Sequence, residues 1–487
     1  MAARDLREFL RELESSGELL RVKEEVSCRL EIAEITDRVC KGGGPALLFE
    51  RPSGHSIPVV TNLFGSHRRM KMALGIDRFE EVGEEVLSLL SGEAPKGILG
   101  AFSSLPKLGR LAASVPTIVE RAPCQEVVLT DNADLGKLPV LTAWPGDAGP
   151  FITMPVVITK DPVSGRRNVG TYRMQIYDGK TAGIHWHRHK AGTAHYRDAE
   201  ALGRELPVAV ALGPDPIVTF AATAPLPESF DELLLAGFLR RRPVELVRCR
   251  TVDLEVPADS QIVIEGVVHP GERRAEGPVG NSTGHYSPAD DFPVLHVTAV
   301  TMRRSPVFPA AIPGRPPTED SYLGKATERI FLPLIKMQLP EIVDLNLPIE
   351  GAFRNLAFVS IDKRYPGHAR KVACALWGMG KMALTRTIVI FDREVDVQNL
   401  SELLWRLGCA VDPRRDTFFV DGPLDILDHA SATPAYGSKM GIDATRKLPE
   451  EGHPHPWPEI LVQDPEVKAR VDALWPKLGI PPHVPRR

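Results

Sequence analysis

Apolar residues recur along the chain with two different periods, and the change between them divides it. Leu6, Phe9, Leu10 and Leu13 repeat at the spacing of one helix face. They predict an amphipathic helix over 5–16, ended by Ser15-Ser16-Gly17. Residues 18–26 read as a strand, and 31–41 as a second helix stopped by Gly42-Gly43-Gly44. Short strands at 45–49 and 57–61 precede helices near 66–74 and 79–91. This alternation predicts an α/β N-terminal region.

Residues 92–123 are rich in Gly, Pro and Ser and read as a linker or cover segment. From about 124 to 315 the apolar runs become short and strand-like, at 126–130, 154–159, 168–189, 208–212, 244–247, 262–266 and 294–300. Many strands with turn residues between them predict a barrel or a sandwich. One helix, from Glu228 to Arg240, interrupts the series. Beyond 320 the pattern is α/β again, with strands at 341–344, 357–361 and 387–391 and helices from His368 to Leu384 and from Asn399 to Leu407. The divisions fall at 1–115, 116–318 and 319–487, in keeping with 487 residues at roughly 150 per domain.

Composition excludes some classes. Forty-three per cent apolar and 25% charged residues suffice for a buried core. The net charge is −4 with no long basic run, so nucleic acid is not an expected partner. The triplet Arg240-Arg241-Arg242 reads as a complement to a helix C-terminus. No apolar stretch approaches the roughly 20 residues of a membrane span. The N-terminus lacks the apolar core of a signal peptide, and the six cysteines form no Cys-x-x-Cys pair, so reduced structural thiols and a cytoplasmic location are expected. Gly42-Gly43-Gly44 and Gly378-Met379-Gly380-Lys381 fit no phosphate-binding loop.

Three groups of residues carry candidate chemistry. His185, His187 and His189 stand at every second position of 184–190, which as a strand would put them on one face. The run pairs naturally with 168–174 in a hairpin turned at Tyr177-Asp178-Gly179-Lys180. Asn168, His189 and Glu232 form a mixed, fairly hard ligand set suited to Mn²⁺ or Mg²⁺. A polar strand face beside an acidic helix start (Glu228, Asp231, Glu232) fits the same residues. The loop 276–286 places Glu276 among Gly277, Pro278, Gly280 and Gly284, where backbone can approach a ligand. Glu276 is a candidate acid or base. Arg173 would orient it, or would hold a substrate carboxylate. A solvated loop and a surface ion pair are the plainer alternatives.

Joint occurrence narrows these readings. The stretches Leu47-Leu48-Phe49-Glu50, Asn168-Val169-Gly170-Thr171-Tyr172-Arg173, 185–190, 208–213, 276–280, Gly314-Arg315-Pro316-Pro317, 367–370 and 437–445 resemble, in this order, the UbiD family of decarboxylases over nearly the whole chain. Residues 144–151 and 412–419 look closest to the menaquinone-biosynthesis type within it. The resemblance implies an α/β N-terminal domain, a central split β-barrel that binds flavin, and a C-terminal α/β oligomerisation domain. It implies prenylated FMN, a divalent metal, usually Mn²⁺, and a monovalent cation, usually K⁺. Carried over by position, the metal ligands would be Asn168, His189 and Glu232. The cofactor would meet Asn168, Thr171, Tyr172, Arg173, His185, Trp186, His187, Lys190, Ala191 and Glu232.

The implied reaction is reversible non-oxidative decarboxylation of an aromatic or α,β-unsaturated acid, releasing CO₂. A dihydroxynaphthoate-type acid or a polyprenyl-hydroxybenzoate is the expected substrate class. A flavin prenyltransferase would supply the cofactor, and the chain would form a homo-oligomer, dimer or hexamer. The catalytic set would be Arg173, Glu276 and the residue at 281. That residue is Asn281 where the family carries an acid, and an amide cannot donate a proton near neutral pH. Glu276 or His285 would then handle the proton, the substrate would need less help, or a partner would be required. The apolar run 307–312 also stands where the family has pocket wall. The alternatives are a metal-dependent hydrolase on the row His185, His187 and His189, and a partner-dependent subunit of a carboxylase complex.

Overall fold

The computed structural model describes residues 2–90, 113–187, 191–226 and 230–480. Its N-terminal region follows the helical and strand periods. Helix Leu6–Ser15 buries Leu6, Phe9, Leu10 and Leu13, and the Asp5 side chain caps it by accepting from the Glu8 amide. Strands Leu19–Val26, Ala46–Pro52 and Val59–Thr61 form a sheet whose fourth strand is Phe308–Ala310. That strand lies parallel to Val59–Thr61. The central residues of the run 307–312 thus complete the N-terminal sheet, where Phe308 and Ala310 are buried.

The central region is a nine-stranded sheet. Eight strands run in the order Phe151–Ile152, Met174–Ile176, Thr181–Ile184, Asp290–Met302, Ile262–Glu276, Leu206–Leu212, Pro155–Lys160 and Arg167–Gly170. Val127–Leu129 pairs off this path with Asp290–Met302. Both faces are covered. Val208 and Val210 of Leu206–Leu212 enter one apolar cluster, while Ala209 and Ala211 enter another. This explains a continuous apolar run instead of an alternating one.

Connectivity forces the sheet to curl. Strand Arg167–Gly170 lies at one end of the order and Met174–Ile176 is next to the other, yet only Thr171, Tyr172 and Arg173 separate them. Four Cα steps reach at most about 14 Å. In a flat sheet the two strands would stand roughly 29 Å apart, at about 4.8 Å per strand. The sheet therefore bends until its ends come close, and 171–173 bridge the gap. The end strands Phe151–Ile152 and Arg167–Gly170 do not pair, so the barrel is split.

The expected hairpin over 168–189 is shorter than its sequence pattern. Met174–Ile176 and Thr181–Ile184 pair antiparallel, and Asp178 closes the turn by accepting from the Lys180 and Thr181 amides at 2.8 Å each. Asn168 instead pairs with Thr159 at the far end of the sheet. The strand expected over 184–190 stops at Ile184, because its partner begins only at Met174. One further bond, from the His185 amide to the Arg173 carbonyl at 3.0 Å, ends the ladder.

Other boundaries shift for local reasons. Helix Glu232–Arg240 starts after Asp231, whose carboxylate accepts from the Leu233 amide at 2.8 Å. Glu228, where the helix was expected to begin, lies outside the described residues. Arg240 and Arg242 do more than meet a helix end: both reach the fully buried Asp215, at 3.2 and 3.7 Å. The helix expected over 368–384 ends at Trp377, with a short 3-10 turn at Gly380–Leu384.

The C-terminal region is a five-stranded sheet in the order Ile342–Asn346, Leu356–Ile361, Thr387–Asp392, Tyr436–Asp443 and Thr417–Pro423. Helix Glu319–Gln338 joins it to the rest. This helix packs closely against Phe79–Leu90, since a Cβ on Gly83 would stand 2.5 Å from the Ile330 carbonyl oxygen. Among the described residues no helix is long and apolar enough to cross a membrane. Cys40 and Cys124 are buried, but Cys374 and Cys409 are exposed, so the expectation of six structural thiols holds only in part.

Candidate active site

The link at the barrel split, the end of the hairpin and the end of the longest strand meet at one point. Arg173 comes from the link, His185 from the residue after Thr181–Ile184, and Glu276 from the last position of Ile262–Glu276. Glu276 is 1% exposed. Its Oε1 accepts from Arg173 Nε at 3.0 Å, and its Oε2 is in short contact with His185 Nδ1. Burial alone would raise the Glu276 carboxyl. The His185 hydrogen bond and the Arg173 charge outweigh it and hold the group below its ordinary value. Burial pushes the His185 imidazole down, against the attraction of Glu276.

Both directions favour an ionised Glu276 and a neutral His185. A neutral His185 beside a carboxylate donates from Nδ1 to Glu276. Arg173 Nη2, 3.1 Å from the same Nδ1, cannot then donate to it, and the approach is a contact between two donors. His185 Nε2 is left as a bare acceptor, buried and without a protein partner. Phe292 lies against the ring, with centroids 4.2 Å apart.

Several other expected cofactor residues flank Arg173 and His185 in the chain. Thr171 Oγ1 and Trp186 Nε1 are likewise buried without protein partners. Tyr172 is buried, meets Trp186 edge-on at 6.4 Å, and accepts from Asn168 Nδ2 at 3.4 Å. The His187 ring stands 4.5 Å from that of His185 although neither residue lies in a strand. His189 and Lys190 lie outside the described residues.

Asn168, Ala191 and Glu232 come together on a cavity of about 110 Å³, with Arg166, Arg167 and His195 also in its lining. Glu232 Oε2 accepts from the Val169 amide at 3.1 Å, which ties the helix to strand Arg167–Gly170. Burial raises the Glu232 carboxyl to about 7. With its Nδ2 directed at Tyr172, Asn168 has its amide oxygen to offer. An amide oxygen and a carboxylate beside guanidinium groups suit a divalent cation bound to a phosphate. The orphaned polar atoms of Thr171, His185 and Trp186 fit a polar cofactor ring system nearby.

Asn281 is committed elsewhere. Its Oδ1 accepts from the Thr283 amide at 2.8 Å and from Thr283 Oγ1 at 2.6 Å, and its Nδ2 donates to Ser287 Oγ at 2.8 Å. It shapes the turn that follows Glu276. His285 is exposed and meets His429 of the C-terminal region, with ring centroids 4.1 Å apart.

Sequence reasoning missed the braces of this loop. Asp147 accepts from the Ala143 and Trp144 amides with one oxygen, and from the Gly280 amide at 2.8 Å with the other. Gln175 accepts from the Gly277 amide at 2.8 Å. Gly280 must be glycine, since a Cβ there would lie 2.2 Å from the Trp144 ring. The signal was present in 144–151, which stood out as a motif with no role attached.

The framework so defined is a split barrel with a buried carboxylate, guanidinium and imidazole at its seam. Three family models match in succession. They are the 3-octaprenyl-4-hydroxybenzoate carboxy-lyase N-terminal domain at 10–86, its Rift-related domain at 117–316 and its C-terminal domain at 321–444. An uncharacterized protein of Aquifex aeolicus is 52% identical over 480 residues, covering 98% of this chain and 99% of its own length. The UbiD-class enzyme HmfF from Pelotomaculum thermopropionicum, solved in complex with FMN, is 34% identical with a TM-score of 0.80, over 96% of this chain and 98% of its own. The closed form of vanillic acid decarboxylase from Sedimentibacter hydroxybenzoicus is 30% identical with a TM-score of 0.85, over 99% of this chain and 100% of its own. The chain belongs to the UbiD family of carboxy-lyases, so the metal-dependent hydrolase is set aside.

Proposed function

We propose that this chain catalyses reversible non-oxidative decarboxylation of an aromatic or α,β-unsaturated carboxylic acid with prenylated FMN. The observation that carries the reading is the Arg173, Glu276 and His185 cluster at the barrel seam, together with the buried, unpartnered polar atoms of Thr171, His185 and Trp186. HmfF has been solved in complex with FMN and, as an evolved dimeric form, with prenylated FMN, which supports the choice of cofactor. Bound prenylated FMN would supply the electron sink for the pair left when CO₂ departs. Asn168 and Glu232, with His189, would hold Mn²⁺, and K⁺ would accompany it.

The chain's own residues position the acid and move one proton. Arg173, fixed by Glu276, presents its outer guanidinium edge to the substrate carboxylate. As the bond to the carboxylate breaks, the carbon keeps the electron pair and takes up a proton. Asn281 cannot give that proton. The Glu276–His185 pair takes up a further proton from solvent at His185 Nε2 and passes it to that carbon. Phe292 covers one face of the His185 ring.

The substrate class is an aromatic acid. A dihydroxynaphthoate-type acid is the first candidate, supported by the resemblance of 144–151 to the menaquinone type, with a polyprenyl-hydroxybenzoate second. A homo-oligomer is proposed from the C-terminal region, where Leu404, Trp405 and Phe419 are exposed, Phe419 on the edge strand Thr417–Pro423. The test is a panel of phenolic, naphthoic and heteroaromatic acids, read by CO₂ release and by deuterium exchange into the decarboxylated products. Exchange with at least one acid is expected. A flavin-loaded protein that exchanges none contradicts the reading.

A further inference from the structure

The longest strand of the barrel carries a second group of ligand-type side chains, upstream of Glu276. Strand Ile262–Glu276 advances from Val268 to Arg273 while its neighbour moves only from Leu295 to Pro293. Residues 269–272 therefore loop out of the ladder. Gly271, at φ +75°, permits the bend, and its amide donates to Glu200 of helix Ala191–Ala201 at 3.0 Å. Arg273 holds the other oxygen of Glu200 at 3.1 Å. The bulge is thus fixed at one end by a carboxylate from a different element.

This bulge turns His269 and Glu272 toward His296 of the adjacent strand. One donor atom from each of the three lies within 4.8 Å of the others. His296 Nε2 and Glu272 Oε2 are 2.7 Å apart, and the two imidazole centroids are 4.6 Å apart. Glu205 brings a fourth group, its Oε1 3.0 Å from His269 Nδ1. His269, Glu272 and His296 are between about one third and two fifths exposed and Glu205 is more than half exposed, so an ion reaches them directly from solvent.

We propose that His269, Glu272 and His296 bind one divalent transition-metal ion of the zinc class, with Glu205 or water as fourth ligand. Two imidazoles and a carboxylate suit Zn²⁺, Co²⁺ or Ni²⁺, whereas Mg²⁺ and Ca²⁺ prefer oxygen ligands. Bonds of about 2.0–2.1 Å place tetrahedral ligands roughly 3.4 Å apart, so side-chain rotation of about an ångström completes the site. The ligands come from a bulge, its neighbouring strand and the approach to Leu206–Leu212. Bound metal would staple these together upstream of Glu276. The site is independent of Asn168 and Glu232 and of the decarboxylase reading.

The test uses the full-length protein as purified, wild type against His296→Gln and Glu272→Gln. The chelator-treated protein is titrated with Zn²⁺ and counted by elemental analysis, and Co²⁺ is added to a second sample for its visible spectrum. Wild type should bind one more Zn²⁺ per chain than either variant. It should show the intense visible bands of a tetrahedral Co²⁺ site, which both variants lose. Added Zn²⁺ should raise the Tm of wild type alone, while Mn²⁺ content is the same in all three. Should His296→Gln fail to fold, Glu272→Gln alone decides, since it leaves both rings in place. Equal Zn²⁺ stoichiometry in wild type and variant, or an unchanged Co²⁺ spectrum, overturns the proposal.

Discussion

His185 and Glu276 share one proton across 91 residues of sequence: Nδ1 of the imidazole donates to Oε2 of a carboxylate that is almost wholly buried. The pair exists because the hairpin ends and the longest strand ends at the same seam of the split barrel. The His185 hydrogen bond and the Arg173 charge together keep the carboxylate ionised there.

Replacing Glu276 should therefore remove proton transfer and leave binding. Glu276→Gln keeps the shape and loses the titratable group. A loss of about 10²–10⁴-fold in kcat is expected, with flavin content unchanged. Steady-state rates beside the absorbance of the bound cofactor check this. An active Glu276→Gln enzyme would assign the proton elsewhere.

The same pair sets an acid sensitivity. The His185 imidazole is lowered in the folded state by burial, so the native protein resists binding a proton that the unfolded chain accepts. Its contribution is full above the ordinary imidazole value of 6.5 and declines as pH falls below it. Glu276, depressed by its partners, adds stability above the ordinary carboxylate value of 4.5 that is lost as pH falls through its lowered native value. His185→Gln should flatten the fall in stability that begins below pH 6.5. Urea unfolding of both proteins across that window measures it, and parallel curves would contradict it.

Glu232 is the carboxylate proposed for the divalent ion. Its burial and its bond to the Val169 amide place it beside Asn168 on the cavity. Glu232→Gln should purify without stoichiometric Mn²⁺ and with reduced flavin, while its secondary structure stays native. Elemental analysis after dialysis against Mn²⁺ tests this. Full metal content in the variant would move the ion to other ligands.

Asn281→Asp should fold normally. The Thr283 amide and hydroxyl still donate to the carboxylate, and the Ser287 hydroxyl reverses to donate to it. An acid at this position should change the substrate range or raise deuterium exchange with simpler aromatic acids. No change in the rate with any acid would show that residue 281 serves the turn alone.

The sequence pattern disclosed local structure better than meeting points. Helix faces such as Leu6, Phe9, Leu10 and Leu13 were legible because burial repeats at a fixed period. Pairing was harder, since partner strands are set by the curl of the sheet. Asn168 is near the hairpin in sequence but belongs to the opposite end of the sheet. The alternation of His185 and His187 predicted their shared side even though no strand continues there. Asp147 and Gln175 were invisible because a side chain that caps a distant backbone leaves no periodic trace. Asn281 was noticed as a departure, but only its bonds to Thr283 and Ser287 give it a structural task.

Prenylated FMN is proposed to sit at the barrel seam. The most direct test is the absorbance spectrum and the mass of the cofactor released from protein co-expressed with a flavin prenyltransferase and supplied with Mn²⁺ and K⁺. The mass of prenylated FMN, near one per chain and reduced in Glu232→Gln, is the predicted result. A colourless protein that remains flavin-free under those conditions would contradict the account.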